Sequence, residues 1–189
     1  MNNVFIVHGA YGDPDGNWFP WLKKELHNLG CKVIVPKFPT PENQSLKSWL
    51  KTLDKYKEYL NDDCILIGHS IGPAFLLSVL ETRKAKAAFF VAGFIGKFTG
   101  KWADPQFDII NKTFAEKSFE WKAIKHNCKK FYLFYSDNDP YVPIKKANEL
   151  GKCLGVKPIL IKGAGHFDET SGYTKFNELL EVLKPILSD

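Results

Sequence analysis

The chain has 189 residues, a length that suits one domain with a sizeable hydrophobic core. Hydrophobic residues make up 44% and charged residues 25% of the sequence, which is ordinary for a soluble globular protein. The formal net charge is only +5, and the lysines occur in scattered pairs and not in a run, so we expect no nucleic-acid partner. No apolar stretch reaches the length of a membrane-spanning helix, and we expect no association with membranes.

The N-terminal residues and the cysteines bear on the cellular compartment. The first apolar run begins at Val4, so no secretory signal is expected before it. The cysteines form no C-x-x-C pair and have no histidines at metal-ligand spacing, so we expect no metal; they are Cys31, Cys64, Cys128 and Cys153. The sequence therefore predicts a cytoplasmic protein.

Short runs of apolar and β-branched residues recur along the chain and predict strands. In chain order they span 4–7, 32–35, 64–67, 87–91, 131–135 and 159–161. The apolar residues in these runs are continuous and do not alternate with polar ones. This pattern is typical of strands that are covered on both faces, as in a parallel sheet.

Helical patterns lie between these runs. They span 18–29, 46–60, 74–82, 144–154 and 173–187. Gly30 and Gly155 stand where the C-terminal caps of two of these helices are expected. Strands that alternate with helices predict an α/β fold, with a mostly parallel sheet of about six strands and helices on both faces. We find no internal repeat or linker, and expect residues 1–189 to form a single domain.

The connection from 92 to 127 is longer than usual and rich in aromatic residues. These are Phe94, Phe98, Trp102, Phe107, Phe114, Phe119 and Trp121. One interpretation is a small lid or rim of short helices over the strand ends. The alternative is a variable connection whose aromatic side chains pack on the core.

The stretch Gly68-His69-Ser70-Ile71-Gly72 reads G-x-S-x-G between a predicted strand and a predicted apolar helix. A serine on such a sharp turn is held in a strained backbone conformation with its hydroxyl exposed above the sheet. Chance matches to five letters are common, but this context favours a nucleophile. A serine hydroxyl needs a histidine base, itself oriented by a carboxylate, to become reactive.

The loop after the fifth predicted strand offers two candidate acids. In α/β-hydrolases the chain order is serine, then carboxylate, then histidine, each on a loop after a strand. We favour Asp139, which precedes Pro-Tyr-Val-Pro where the loop turns toward the next helix. Asp137 is closer to the strand end and is expected to cap or brace the loop.

The candidate base is His166, in Gly165-His166-Phe167 just beyond the last predicted strand. It alone among the histidines combines the required order with a loop after a strand. His27 and His126 are expected at the surface, and His69 occupies the variable position of the G-x-S-x-G motif. His8 either braces the loop after the first strand or is a structural histidine.

An acyl-transfer site also needs N–H donors for the oxyanion. The amide of Ile71, which directly follows Ser70 at a helix start, is one candidate. The other is expected in the loop after the first strand, with Ala10 preferred and Tyr11 second. That loop contains no Lys-Ser/Thr, so a nucleotide-binding loop is not expected. From their positions alone, the proposed substrate-binding residues are Tyr11, Trp18, Phe94, Trp102 and Tyr141.

Several of these motifs together resemble the small α/β-hydrolases of the retinoblastoma-binding-protein-like serine hydrolase family. They are His8-Gly9, 18–22 (WFPWL), 68–72 (GHSIG), 139–143 (DPYVP) and 165–167 (GHF). The resemblance implies an α/β-hydrolase-like three-layer sandwich, a small cap, no cofactor, and Ser70, Asp139 and His166 as the catalytic triad. An L-x-C-x-E motif is absent, so nothing here indicates binding to a retinoblastoma-type pocket protein.

The leading hypothesis is a serine hydrolase that cleaves a small carboxylic ester, thioester or amide through an acyl-enzyme. One alternative is a protein-interaction scaffold on a hydrolase fold, suggested by the aromatic residues of 92–127. Another is an acyltransferase or small peptidase that uses the same three residues. The expected partner is a small-molecule acyl substrate, and the sequence identifies no protein partner.

Overall fold

Six parallel strands form one sheet in the computed structural model, which describes residues 2–188. Their spatial order is β2-β1-β3-β4-β5-β6. The strands are β1 (Asn3–Val7), β2 (Lys32–Ile34), β3 (Ile65–His69), β4 (Ala87–Val91), β5 (Phe131–Ser136) and β6 (Ile159–Ile161). All six predicted strands are present, and every pairing is parallel. The central strands β3 and β4 are buried along their whole length, which explains their continuous apolar sequence.

Within residues 2–188, seven α-helices cover the sheet. They are α1 (Phe19–Asn28), α2 (Leu46–Leu53), α3 (Gly72–Leu80), α4 (Pro105–Ala115), α5 (Trp121–Asn127), α6 (Ile144–Leu154) and α7 (Asn177–Ser188). The helix predicted at 144–154 has these bounds, because Gly155 at φ +78° ends it in the left-handed conformation. None of the helices within residues 2–188 is long and apolar enough to cross a membrane.

Two helix predictions were too long. The pattern at 46–60 is an α-helix only to Leu53 and continues as a 3₁₀-helix over Asp54–Tyr59. Its start is well defined, since the Ser45 side chain accepts the amide of Ser48 and the Ser48 hydroxyl accepts the amide of Ser45. The last helix begins at Asn177 and not at Tyr173, because a 3₁₀ turn at Glu169–Ser171 and a loop precede it.

The hydrophobic core lies in two layers, one on each face of the sheet. Five helices, α2 to α6, contribute to one layer, where Trp49, Phe75 and Phe114 pack together. Helices α1 and α7 contribute to the other layer, which contains Trp18 and Phe176. The result is the predicted sandwich of helices, sheet and helices.

The aromatic residues of the connection 92–127 lie in two places, some at the cleft and others in the core. It contains a 3₁₀ turn at Gly100–Trp102 followed by α4 and α5. Trp102 and Phe107 line a cleft at the carboxyl edge of the sheet. The buried aromatic residues of the connection are Phe94, Phe98, Phe114 and Phe119. The connection therefore forms one wall of the cleft and also completes the core beneath that wall.

The four cysteines are free thiols. Burial raises the pKa of Cys64 to about 12 and that of Cys128 to about 11, because the low-dielectric core disfavours the thiolate. These thiols therefore behave as small apolar side chains.

Candidate active site

A cleft of about 820 Å³ opens at the carboxyl ends of the strands. In open parallel sheets this edge is the usual ligand site, because the loops that follow the strands converge there. Ser70 and His166 both line the cleft. They come from loops after β3 and β6 respectively, so the fold brings together residues that are far apart in the sequence.

Ser70 occupies the turn between β3 and α3 with φ +58°. This left-handed conformation costs a non-glycine residue roughly 1–2 kcal/mol, and its backbone amide is fixed by a 2.9 Å hydrogen bond to the Val91 carbonyl. The loop after β1 approaches closely, since a Cβ on Gly9 would lie 2.8 Å from the Ser70 Cβ. Glycine at position 9 is therefore needed for this loop to lie beside Ser70.

His166 and Asp139 form a buried pair. The imidazole Nδ1 lies 2.9 Å from Asp139 Oδ2 and 3.1 Å from Oδ1. The same carboxylate accepts the amides of Tyr141 at 2.8 Å and Val142 at 3.0 Å, which fixes its orientation. Because the carboxylate only accepts, the Nδ1 of His166 is the protonated nitrogen and the Nε2 is left free to accept a proton.

Four consecutive amides around His166 donate to side chains. Those of Gly163, Ala164 and Gly165 donate to Asp137 Oδ1, Ser136 Oγ and Asn138 Oδ1 at 2.8, 3.0 and 2.8 Å. The amide of His166 itself donates to Ser171 Oγ at 3.2 Å. Asp137 therefore braces the loop of the histidine, while Asp139 contacts its ring.

His69 is buried next to His166, with 4.8 Å between the ring centroids. Its Nε2 donates to the His166 carbonyl at 2.7 Å. Burial, followed by repulsion from His166, lowers the pKa of His69 to about 3. His69 is therefore neutral at ordinary pH and adds no positive charge beside His166.

We expect His69 to make the protein sensitive to acid. Since its pKa is lowered on folding, the unfolded chain binds more protons below pH 6.5, and stability falls as the pH drops from about 6.5 toward about 3. The slope approaches about 1.4 kcal/mol per pH unit for one group. His69→Gln keeps a donor for the His166 carbonyl without the titration. Urea unfolding at pH 7, 6, 5 and 4 should show a flatter pH dependence for the variant, and equal slopes would contradict this prediction.

His8 is a structural brace for the loop after β1. Its Nδ1 donates to the Gly9 carbonyl at 2.8 Å, and its Nε2 accepts the Phe38 amide at 3.0 Å. Both ring nitrogens are thus used by the backbone, and burial lowers the pKa of His8.

The candidate oxyanion donors differ in availability. Ile71 is the N-terminal cap of α3, and amides at a helix start have no acceptor within their helix. Ala10 and Tyr11 both line the cleft. However, the Tyr11 amide donates to Thr40 Oγ1 at 2.7 Å. The structure therefore favours Ala10 over Tyr11 as the donor from this loop.

Two of the five residues proposed to bind substrate do not reach the cleft. Trp18 is fully buried, and its indole N–H donates to the Phe167 carbonyl at 3.0 Å. Phe94 is buried against Phe98 and Phe107. Neither side chain lines the cleft, because position near a strand end does not determine which way a side chain points.

The other three proposed residues, Tyr11, Trp102 and Tyr141, do line the cleft. The ring of Tyr141 also packs edge-on against His166 at 5.0 Å. Phe107 also lines the cleft but was not predicted from the sequence, although it belongs to the aromatic connection and follows the helix start at Asp104-Pro105. Asp168 and Glu169, which directly follow the GHF motif, line the cleft and were not predicted either.

Within residues 2–188 there is no group of three or more histidine, cysteine, aspartate or glutamate side chains placed to hold a metal ion. The polar groups at the cleft include the Ser70 hydroxyl and the His166 imidazole, which is paired with the Asp139 carboxylate. This set is suited to nucleophilic attack on a carbonyl group.

Comparison with known proteins gives matches over nearly the whole chain. The family profile described as serine hydrolase matches residues 4–185. The putative hydrolase YdeN of Bacillus subtilis (strain 168) is 30% identical over 189 residues, which cover 98% of this chain and 96% of that protein. The serine hydrolase RBBP9 of Rattus norvegicus is 26% identical over 172 residues, which cover 90% and 87% of the two chains.

Solved structures agree with these matches. The crystal structure of the ydeN gene product from B. subtilis has a TM-score of 0.89 and 27% identity, and all of both chains is covered. This similarity confirms the α/β-hydrolase-like fold that the sequence predicted.

Proposed function

The chain belongs to the serine hydrolase family, and from this premise we propose that it cleaves a small carboxylic ester, thioester or amide through an acyl-enzyme formed on Ser70. The observation that carries the proposal is the buried pair of Asp139 and His166 beside a cleft that also contains the Ser70 hydroxyl. A histidine whose Nδ1 is bound to a buried carboxylate is oriented to act as a base through its other nitrogen.

In the first step the Ser70 Oγ forms a bond to the substrate carbonyl carbon. Its proton goes to His166 Nε2, and the electron pair of the carbonyl bond moves to oxygen. Asp139 stabilises the imidazolium that results and keeps its Nδ1–H in place. The amides of Ile71 and Ala10 donate to the oxyanion, which we expect to be the largest electrostatic contribution.

In the second step the tetrahedral intermediate collapses. The bond from carbon to the leaving group breaks, and the leaving group takes the proton from His166. Water then attacks the acyl-enzyme with His166 again as base, and release of the acid regenerates Ser70. The neutral state of His69 helps whenever His166 takes up a proton, because a second cation beside it would disfavour formation of the imidazolium.

The cleft walls favour a substrate with an apolar or aromatic group. Tyr11 and Tyr141 are 62% and 55% exposed, so their rings are available to contact a ligand. Trp102 and Phe107 stand on the wall formed by the connection 92–127. Aromatic rings provide much contact area with few rotatable bonds, which suits recognition of a small acyl or aryl group.

We also propose a reducing compartment, the cytoplasm, as the location. Cys64 and Cys128 are buried thiols without disulfide partners, and disulfides are uncommon in that compartment.

A fluorophosphonate probe tests the mechanism directly. The folded wild-type protein should be labelled on Ser70, with the site mapped by mass spectrometry, and should hydrolyse p-nitrophenyl acetate. Labelling elsewhere, or a folded protein that resists the probe, would contradict the proposal. A series of p-nitrophenyl esters compared with aminoacyl amides would then separate esterase from amidase activity.

A further inference from the structure

A chain of hydrogen bonds connects the loop after β1 to helix α4. The Tyr11 amide donates to Thr40 Oγ1 at 2.7 Å, and the Thr40 hydroxyl donates to Gln44 Oε1 at 2.5 Å. The Gln44 amide group in turn donates to Asn111 Oδ1 at 3.0 Å and to the Ile110 carbonyl at 3.1 Å. We call Thr40 and Gln44 the relay, since they join two walls of the cleft that are about 100 residues apart in sequence.

The relay contacts a turn whose geometry is unusual for its residues. The Gly12 amide donates to the Gly9 carbonyl at 3.2 Å, which closes a four-residue turn. Tyr11, third in this turn, has φ +58°, whereas Ala10 is not among the residues with positive φ. This combination defines a type II turn, in which the third position normally requires glycine. A tyrosine there is strained, so the turn needs an external contact to keep this form.

The Thr40 hydroxyl provides that contact. It accepts from the Tyr11 amide, which belongs to the central peptide of the turn and has the opposite orientation in a type I turn. While this peptide is held by Thr40, the Tyr11 amide is not available to a ligand. The amide of Ala10 is then the donor that this loop offers to the cleft.

We propose that Thr40 and Gln44 are positioning residues, which orient the oxyanion-binding loop by holding the Ala10–Tyr11 peptide. The inference rests on the proposed function, because it concerns the amide that stabilises the oxyanion. Gln44 acts indirectly. Its Oε1 accepts the hydrogen bond of the Thr40 hydroxyl, so a lone pair of the Thr40 oxygen points to the Tyr11 amide, and its NH₂ group connects Thr40 to α4.

Loss of the Thr40 hydroxyl should affect the chemical step more than binding. Without the acceptor, the Ala10–Tyr11 peptide is no longer held and the turn can relax toward a type I form that relieves Tyr11. The loop that carries the Ala10 amide then loses its link to Thr40, so this amide is no longer fixed relative to the oxyanion. Complete removal of one oxyanion donor lowers kcat by about 10²–10³. We expect misorientation to lower it by roughly 10- to 50-fold, with KM changed by less than about twofold.

The experiment uses three threonine variants. Thr40→Val removes the hydroxyl at nearly constant shape, and Thr40→Ser restores it. Thr52→Val is the matched control, since the half-buried Thr52 hydroxyl donates to the Ser48 carbonyl within α2 and lies outside the relay. The measurements are the saturation kinetics of inactivation by a fluorophosphonate, which separate the inactivation rate from the binding constant, and kcat and KM for p-nitrophenyl acetate.

The inference is supported if Thr40→Val slows inactivation and kcat, while Thr40→Ser and Thr52→Val stay within about threefold of wild type. It is overturned if Thr40→Val keeps wild-type rates, changes only KM, or is matched by Thr52→Val. If Thr40→Val does not fold, Gln44→Met tests the inference instead. We expect this variant to lose kcat several-fold at constant KM, and an unchanged kcat overturns the inference. A wild-type protein that does not react with the probe contradicts the proposed function itself, which distinguishes the two failures.

Discussion

Ser70→Ala should reduce kcat/KM for p-nitrophenyl acetate by roughly 10⁴-fold or more and abolish labelling by a fluorophosphonate. The reason is that the Ser70 oxygen is the atom that forms the covalent bond. The backbone amides and the cleft remain in the variant, so a small residual rate above that in water is expected. Steady-state kinetics and gel detection of the labelled protein check the prediction. A variant with more than about a tenth of wild-type activity would exclude Ser70 as the nucleophile.

A companion variant, Ser70→Gly, separates the chemistry from the backbone strain. Both variants lack the hydroxyl, but only glycine adopts φ +58° without a steric penalty. We expect Ser70→Gly to be more stable than Ser70→Ala by about 1 kcal/mol, which corresponds to roughly 2–4 °C in Tm for a protein of this size. Equal Tm values would show that the turn at Ser70 is not under strain.

Asp139→Asn should have the second-largest effect, a fall in kcat of about 10⁴-fold. An asparagine oxygen can still accept the amides of Tyr141 and Val142, so the fold is retained. Its NH₂ group would then face the His166 Nδ1 and favour the tautomer protonated on Nε2, which cannot accept the serine proton. The measurement is kcat for p-nitrophenyl acetate, with circular dichroism to verify folding.

Asp137→Asn is the matched control for this prediction. Asp137 is on the same loop, but its contact is with the Gly163 amide, and an asparagine oxygen can replace it there. We expect activity within about threefold of wild type. If Asp137→Asn proved as damaging as Asp139→Asn, the assignment of the acid to Asp139 would be wrong.

The hydrolase fold was predictable because each piece of evidence for it is local. Continuous apolar runs such as 87–91 reflect strands buried on both faces, and Gly155 marks a helix end. The errors lie at helix boundaries. The apolar periodicity at 46–60 continues through a 3₁₀-helix, and the pattern at 173–187 begins before the α-helix does. The reason is that periodicity shows which residues lie on the same face of an element, but not which hydrogen bonds the backbone makes.

The loops that form the candidate site were predictable from the sequence. In a parallel sheet the carboxyl ends of all strands lie at one edge, so Ser70, Asp139 and His166, each after its own strand, had to approach that edge. The order of these residues along the chain and the residues that flank them are features of the sequence alone. The structure adds the contact of Asp139 with the His166 ring at 2.9 Å.

The sequence by itself therefore determined the class of fold and the order of the loops that carry the candidate site residues. Only the tertiary structure decided which side chains face the cleft: it placed Tyr11 and Tyr141 on its wall and buried Trp18 and Phe94. It also decided that the Tyr11 amide is held by Thr40. The physical reason is that side-chain direction and hydrogen-bond partners between distant loops depend on how the layers pack, whereas strand and turn patterns depend on neighbours in the chain.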